Sequence, residues 1–331
     1  MRFLRNYSLV SAKFAFGSKK WVLVSDRPGN FPSWHLDALP RNCAIHSGRG
    51  GPFHSLGFSK AAMSTTKLYL LDRNVVSIIK DAISGVQPSD PKKMRMLNKL
   101  TEIDTSTSAI SCILSLIEGQ KGRDESYDEK VACLQKETAA IKSFFRFAAT
   151  DSNTLQSRKT DFASTFTEYR EEDWGVHDAF LLEACPLLRD KAPEAKRDSI
   201  KKAIIQSART KGIYVGHITV VMCLSCLYGS DAARGILKPH KVTDSAFNVL
   251  NDVFSLSRIS LIKAIAQAQG MVGLGIEFLT LDESLSVFLF GIQVRKASLT
   301  SSSLSQTVEY GDSLFPLLSK EQYIDLLHEI C

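Results

Sequence analysis

The stretch KLYLLDRNVVSIIKDAISG (67–85) joins a short apolar run that ends in an acid to a run with helical spacing. Leu68, Tyr69, Leu70 and Leu71 form a continuous apolar block, the pattern of a strand in a parallel sheet covered on its faces. Asp72 closes that block. Val75, Ile78, Ile79, Ala82 and Ile83 then recur at helical intervals, and Gly85 ends the helix. A second block of the same kind, GIEFLTLD (275–282), ends in Asp282 and leads into an apolar helical segment that reaches Leu289.

Between these two blocks the pattern is mostly helical. Pro91 opens a short helix toward Leu100, and residues 109–116 form an apolar, partly β-branched stretch running into Glu118 and Gly119. Residues 124–149 carry Tyr127, Val131, Leu134, Thr138, Ile141, Phe145 and Ala148 on one helical stripe. Asp124, Glu125, Asp128 and Glu129 load its first turns with the negative charge that a helix N-terminus favours. After a polar break at 150–160, further helices are expected at about 177–190, 194–211, 216–229 and 242–268. Residues 295–307 read as a polar, Ser-rich loop, and Ser319 with Gln322 fits a capping box opening a last helix to Ile330. No internal repeat is present. The expected fold is therefore α/β, helix-rich, with a small parallel sheet. Such sheets place ligands beyond the carboxyl ends of their strands, where Asp72 and Asp282 fall.

Composition narrows the class. A chain of 331 residues, 44% hydrophobic and 23% charged, can bury one large core or two smaller ones. The longest apolar run, 216–227, is well short of the roughly 18 to 20 residues of a membrane helix, so no membrane span is expected. Seven cysteines, odd in number and mostly within apolar stretches, fit a reducing compartment. Cys223 and Cys226 form a CxxC without a second ligand pair, so a packing role is expected. The net charge of +6 belongs to the leader: residues 1–62 hold nine Lys/Arg against Asp26 and Asp37, whereas 63–331 is net −1. Residues 1–62 lack sustained periodicity and do not look like a folded unit. Three readings stay open for them: translation from a start upstream of Met63, a basic organelle-targeting leader, or a disordered functional arm.

The blocks LYLLDRNVVSIIK (68–80), SAISCILSLIEGQKG (108–122) and FLTLDESL (278–285), in that order, resemble the PIN-like nucleases. The resemblance implies a three-layer α/β/α domain with a strand ending in Asp72, Glu118 near the start of an apolar helix, and a closing Thr-x-Asp motif bearing Asp282. It also implies an acid on the helix before the last strand. Within 244–267, Asp244, Asn248 and Asp252 are spaced by four, which would place them on one helix face; Asp252 is preferred, with Asp244 and Asn248 as alternates. The family's chemistry would make Asp72, Glu118, Asp252 and Asp282 the catalytic, metal-binding set for Mg2+ or Mn2+, cleaving RNA. Its toxin branch implies a cytoplasmic setting and an antitoxin-like protein partner as well. Two features depart from the family. Asp72 and Asp282 stand 210 positions apart, implying a helical insertion over about 124–240, and Arg73 replaces the small residue usual after the first Asp.

The chemistry suits the residue types. Converging carboxylates repel and raise one another's pKa, and a divalent cation held by hard oxygen ligands relieves that repulsion. Each acid also has a plain structural reading: Asp72 and Asp282 as helix N-caps, Glu118 as a surface helix acid, Asp252 as an ordinary helical residue. Other motifs carry less. Gly270, Gly273 and Gly275 precede a strand rather than follow one, the reverse of a phosphate-binding turn. His177 and His217 lack a nucleophile motif. The basic groups Lys92, Lys93 and Arg95, Lys196, Arg197, Lys201 and Lys202, and Arg209 and Lys211 read as solvated faces or as RNA-backbone contacts. Tyr69, Phe247 and Phe254 read as core. The expected function is a metal-dependent ribonuclease of PIN-like type; the alternatives are a non-catalytic PIN-derived helical interaction module and metal-dependent action on a small phosphate compound.

Overall fold

The computed structural model describes residues 66–331 except 120–122, 169–170, 172, 269–270, 272, 300–302 and 331, together with the backbone of 10–15. In chain order, strand β1 (Val10–Ala15) is followed by β2 (Lys67–Leu71), helix α1 (Arg73–Ile83) and α2 (Pro91–Glu102). Next come β3 (Ser108–Ser111), α3 (Ile113–Glu118), α4 (Tyr127–Phe144), β4 (Ala149–Thr150), α5 (Ser152–Ser157) and α6 (Lys159–Glu168). Four further helices, α7 (Trp174–Leu187), α8 (Glu194–Thr210), α9 (Ile218–Leu227) and α10 (Asp231–Leu237), lead to the long α11 (Phe247–Ala268). The chain ends with β5 (Gly275–Leu279), α12 (Glu283–Phe290), β6 (Ile292–Leu299), β7 (Ser303–Tyr310) and α13 (Lys320–Ile330).

Four strands form a parallel sheet in the order β4-β3-β2-β5. Successive side chains of a strand point to opposite faces. Leu68 through Leu71 are all buried, as are Ser108 through Ser111, so the central strands are covered on both faces. The helix-rich α/β fold with a small parallel sheet is the one expected from the apolar blocks. α1 buries Val75, Val76, Ile78 and Ile79 beneath the sheet strands, each contributing roughly 1.5–3 kcal/mol.

The buried side chains divide into two cores. One gathers β2, β3, α1, α3, α4, α6 and the later half of α11, with Leu261, Ile262, Ala264 and Ile265. The other gathers α7 to α10, α12, α13 and the earlier half of α11, with Leu250, Val253, Phe254 and Leu256. Phe278 packs against both. At the contact of α10 and α12 the helices approach so closely that a Cβ on Gly235 would stand 2.9 Å from Ser284 Cβ.

Several expectations are corrected. The insertion foreseen over 124–240 is not one unit, because α4, α5 and α6 pack on the sheet and β4 is one of its strands. The polar break at 150–160 holds the end of β4, α5 and the start of α6. Within the Ser-rich segment 295–307, residues 295–299 and 303–307 are strand rather than loop: β6 and β7 pair antiparallel, and β7 also pairs with β1. No Gly or Pro interrupts 292–310, and ladder hydrogen bonds on both sides of β7 outweigh the weak strand preference of serine. That pairing also gives residues 10–15 a place in a sheet, although no folded element was expected in 1–62; the rest of that segment lies outside the described residues. Within α4, the buried face carries Lys130, Cys133, Leu134, Glu137 and Thr138, whereas Tyr127 is exposed. Among the described residues, no helix is long and apolar enough to cross a membrane.

Candidate functional site

The order of the parallel sheet reverses between β2 and β5, since β3 and β4 lie on one side of β2 and β5 on the other. The connections to either side of that point leave in opposite directions, which opens a crevice at the carboxyl ends of these two strands. Asp72 follows the last residue of β2, and its backbone N–H donates to Leu279 O at 2.9 Å, extending the ladder by one bond. Its Oδ1 accepts from Arg73 N at 2.8 Å, capping α1.

Asp282 lies three residues beyond the end of β5 rather than at its last position, and its Oδ1 accepts from Leu285 N at 2.9 Å to cap α12. Both acids therefore do perform the N-cap role. Thr280 ties them together. Its hydroxyl donates to Asp72 Oδ2 at 2.7 Å and accepts from Asp282 N at 3.0 Å, so the Thr-x-Asp motif sets the spacing of the two caps.

Glu118 is the last residue of α3, not near its start. Arg73 reaches it across the crevice, with Nη2 3.4 Å from Glu118 Oε1 and Nη1 donating to Gly119 O at 2.8 Å. Gly119 is required here: its φ is +78°, and a Cβ would meet the Glu125 carboxyl at 2.9 Å. Lys130 completes the turn, donating to Leu116 O at 2.7 Å and standing 3.2 Å from Glu125 Oε2. It satisfies a helix carbonyl that would otherwise lack a partner.

Asp252 is half-buried on α11. Burial, then the Asp282 and Asp72 charges, push its pKa up to about 7, against Lys238 and Arg73. Burial likewise pushes Glu118 up to about 8; the Asp72 and Asp252 charges add to this, and Arg73 opposes it. Asp72, Glu118, Asp252 and Asp282 thus sense one another electrostatically. Among the described residues, however, no three His, Cys, Asp or Glu side chains converge closely enough to form a ready-made cation cage.

The alternates fare differently. α11 begins at Phe247, so Asp244 precedes the helix and does not share a face with Asp252; it is exposed and accepts from Thr243 Oγ1 at 3.1 Å. Asn248 is one turn before Asp252 on the helix and is exposed.

Sequence reasoning missed two groups. Arg73 was noted only as a departure, although its place in the first turn after Asp72 already sets it beside the crevice. Asp151 follows the two-residue strand β4, too short to leave a pattern. It is fully buried, accepts from Ser111 Oγ at 2.6 Å, and burial pushes its pKa to about 7.

Cys223 and Cys226 are buried in α9 as packing residues. Lys92 pairs with Glu283, Lys201 with Glu329 and Asp198, Lys202 with Asp198, and Lys211 with Glu183, so four of the basic residues face carboxylates. Tyr69 and Phe254 are core, and Phe247 meets Trp174 with ring centroids 5.6 Å apart and planes inclined by 57°. No family model, no curated protein and no solved structure matches the chain.

Proposed function

We propose that the protein is a metal-dependent ribonuclease of PIN-like type, with Asp72, Glu118, Asp252 and Asp282 as its acidic set. The observation that carries this reading is the position of Asp72, Thr280 and Asp282 beyond the carboxyl ends of β2 and β5, where the strand order reverses. Glu118 and Asp252 face the same charges, which speaks for one acidic crevice rather than four separate surface acids.

The donor set fits a hard divalent cation. Carboxylate oxygens are the ligands that Mg2+ and Mn2+ take, and Glu118 and Asp252 are pushed up to about 8 and 7 by burial first and by the neighbouring acids second, a cost that a bound cation would relieve. The four acids would hold the ion directly or through water. When bound, it would supply activated water and neutralise the leaving oxygen. The chain's own residues do the rest. Thr280 holds the Asp72 carboxylate in one orientation, and the caps of α1 and α12 keep Asp72 and Asp282 from turning away. Arg73 stands beside Glu118 as a fixed cation, able to hold a phosphate oxygen of the substrate. The toxin-branch analogy extends the proposal to a cytoplasmic setting and an antitoxin-like partner.

A second reading has its own observation. The Arg73–Glu118 ion pair partly neutralises the crevice from within, and Asp72 and Asp282 already serve as caps. An interaction module without catalysis would keep those features. The two readings separate in one assay: full-length protein with mixed RNA and Mn2+, with and without EDTA, beside Asp72→Asn. A nuclease loses at least a hundredfold in rate on either treatment. Equal cleavage by variant and wild type, or EDTA-insensitive cleavage, discards the mechanism.

A further inference from the structure

A cleft of about 470 Å³ lies between the start of α7 and the segment joining α8 to α9. Its volume is within the range of small-ligand sites. His177 and His217 form one wall, with ring centroids 4.3 Å apart and planes inclined by 30°. Both rings are more than nine-tenths buried, and each meets Phe254 edge-on, at 5.5 and 5.9 Å.

Only part of this wall has a folding role. His217 Nδ1 accepts from Thr219 N at 3.2 Å and caps α9, which leaves the ring's hydrogen on Nε2. His177 Nδ1 is buried without a hydrogen-bond partner. An unsatisfied buried nitrogen is costly and uncommon in a folded protein. Burial lowers His177 to about 4 and His217 well below its ordinary value, so the pair is neutral rather than cationic, with one imidazole lying over the other.

Positive charge comes from Arg209, which is exposed, and from Lys211, which is also held by Glu183 at 2.6 Å. Asp173 lines the same cleft with φ +57°, a left-handed conformation that a non-glycine residue adopts at a cost. Strain of this kind gathers at ligand sites. Two imidazoles without a third ligating group do not make a metal cage, and none is found among the described residues.

We propose that this cleft binds a phosphorylated molecule with a planar heteroaromatic ring, of the nucleoside monophosphate type. The ring lies against His177 and His217, and the phosphate sits at Arg209 and Lys211. The proposal stands on residues apart from the acidic crevice and does not depend on its chemistry.

Calorimetric titration of the full chain tests it with four probes: AMP, adenosine, inorganic phosphate and a 5′-phosphorylated dinucleotide. AMP is expected to bind at least tenfold more tightly than adenosine or phosphate. Arg209→Ala, at an exposed position, should weaken AMP at least tenfold without moving the thermal midpoint. His177→Phe keeps the ring's bulk and removes its nitrogens, and should also weaken AMP. Dinucleotide binding at the affinity of AMP supports the proposal with a strand end as the natural source; AMP binding with the dinucleotide excluded supports it with a free nucleotide. No heat with millimolar AMP overturns it. So does adenosine binding as tightly as AMP, or unchanged affinity in both variants.

Discussion

Asp72 serves folding and the proposed chemistry with the same two oxygens: Oδ1 caps α1 and Oδ2 receives the Thr280 hydroxyl. Asp72→Ala removes both bonds and is expected to cost about 1–2 kcal/mol in urea unfolding, the usual worth of an N-cap. Asp72→Asn keeps an acceptor oxygen and should cost less than half of that, while abolishing any metal-dependent cleavage. A variant pair that loses stability equally would show that the carboxylate's charge, not its acceptor geometry, holds this corner. Asp151 gives a pH test. Its pKa is pushed by burial from an ordinary 3.8 to about 7, so folding favours its protonated form. The stability tied to that proton is present below about pH 4 and is lost as pH rises through 7. Glu118 and Asp252 act in the same direction. The wild type should therefore lose ~1 kcal/mol or more between pH 5 and 8, and Asp151→Asn should lose measurably less in urea titrations at the two pH values. Equal slopes would place the titration elsewhere. At this scale the sequence was legible where one residue ends an apolar block, as Asp72 does. It was opaque where partners meet only in space, as Arg73 and Glu118 do across 45 positions, or Ser111 and Asp151 across 40.

Elements were legible in proportion to their length and their caps. The capping box of α13 forms as read, with Ser319 N donating to Gln322 Oε1 at 2.9 Å and Gln322 N to Ser319 Oγ at 3.3 Å. α4 was found, yet its true cap is Ser126 with Glu129, and its buried face admits Lys130 and Glu137 because each meets a partner: the Leu116 carbonyl and the Ser115 hydroxyl. Apolar periodicity cannot foresee a buried charge that another element satisfies. β3 and β4 escaped for a different reason. Four residues and two residues are too few for a period to register, and their strand state comes from pairing, β3 on β2 and β4 on β3. The contact of α10 with α12 can be probed directly. Gly235→Ala drives a methyl group into Ser284 and should cost about 1–3 kcal/mol, the range of overpacking, read as a lower thermal midpoint. Since Asp282 caps α12, the same variant should lower any cleavage rate; Gly235→Ala with Ser284→Gly should restore both.

For the whole molecule, α11 belongs to both cores. Its first half packs with α7 to α10, its second half with the sheet, and Phe278 bridges the two. A helix is cooperative along its length, so the two cores are expected to unfold together, as one calorimetric transition with equal calorimetric and van't Hoff enthalpies. Two resolved peaks would contradict this. The division into cores was not legible, because it is drawn by which face each helix turns to its neighbours, and apolar spacing alone leaves that choice open.

The acidic crevice draws on both halves of this arrangement: Asp72 and Glu118 come from elements of the sheet core, and Asp252 from the portion of α11 that belongs to the other. Consequently, neither core by itself carries the whole proposed acidic set. A protease cut within α11 would sever a helix anchored in both cores, so digestion should pass from intact chain to small peptides without a persistent fragment.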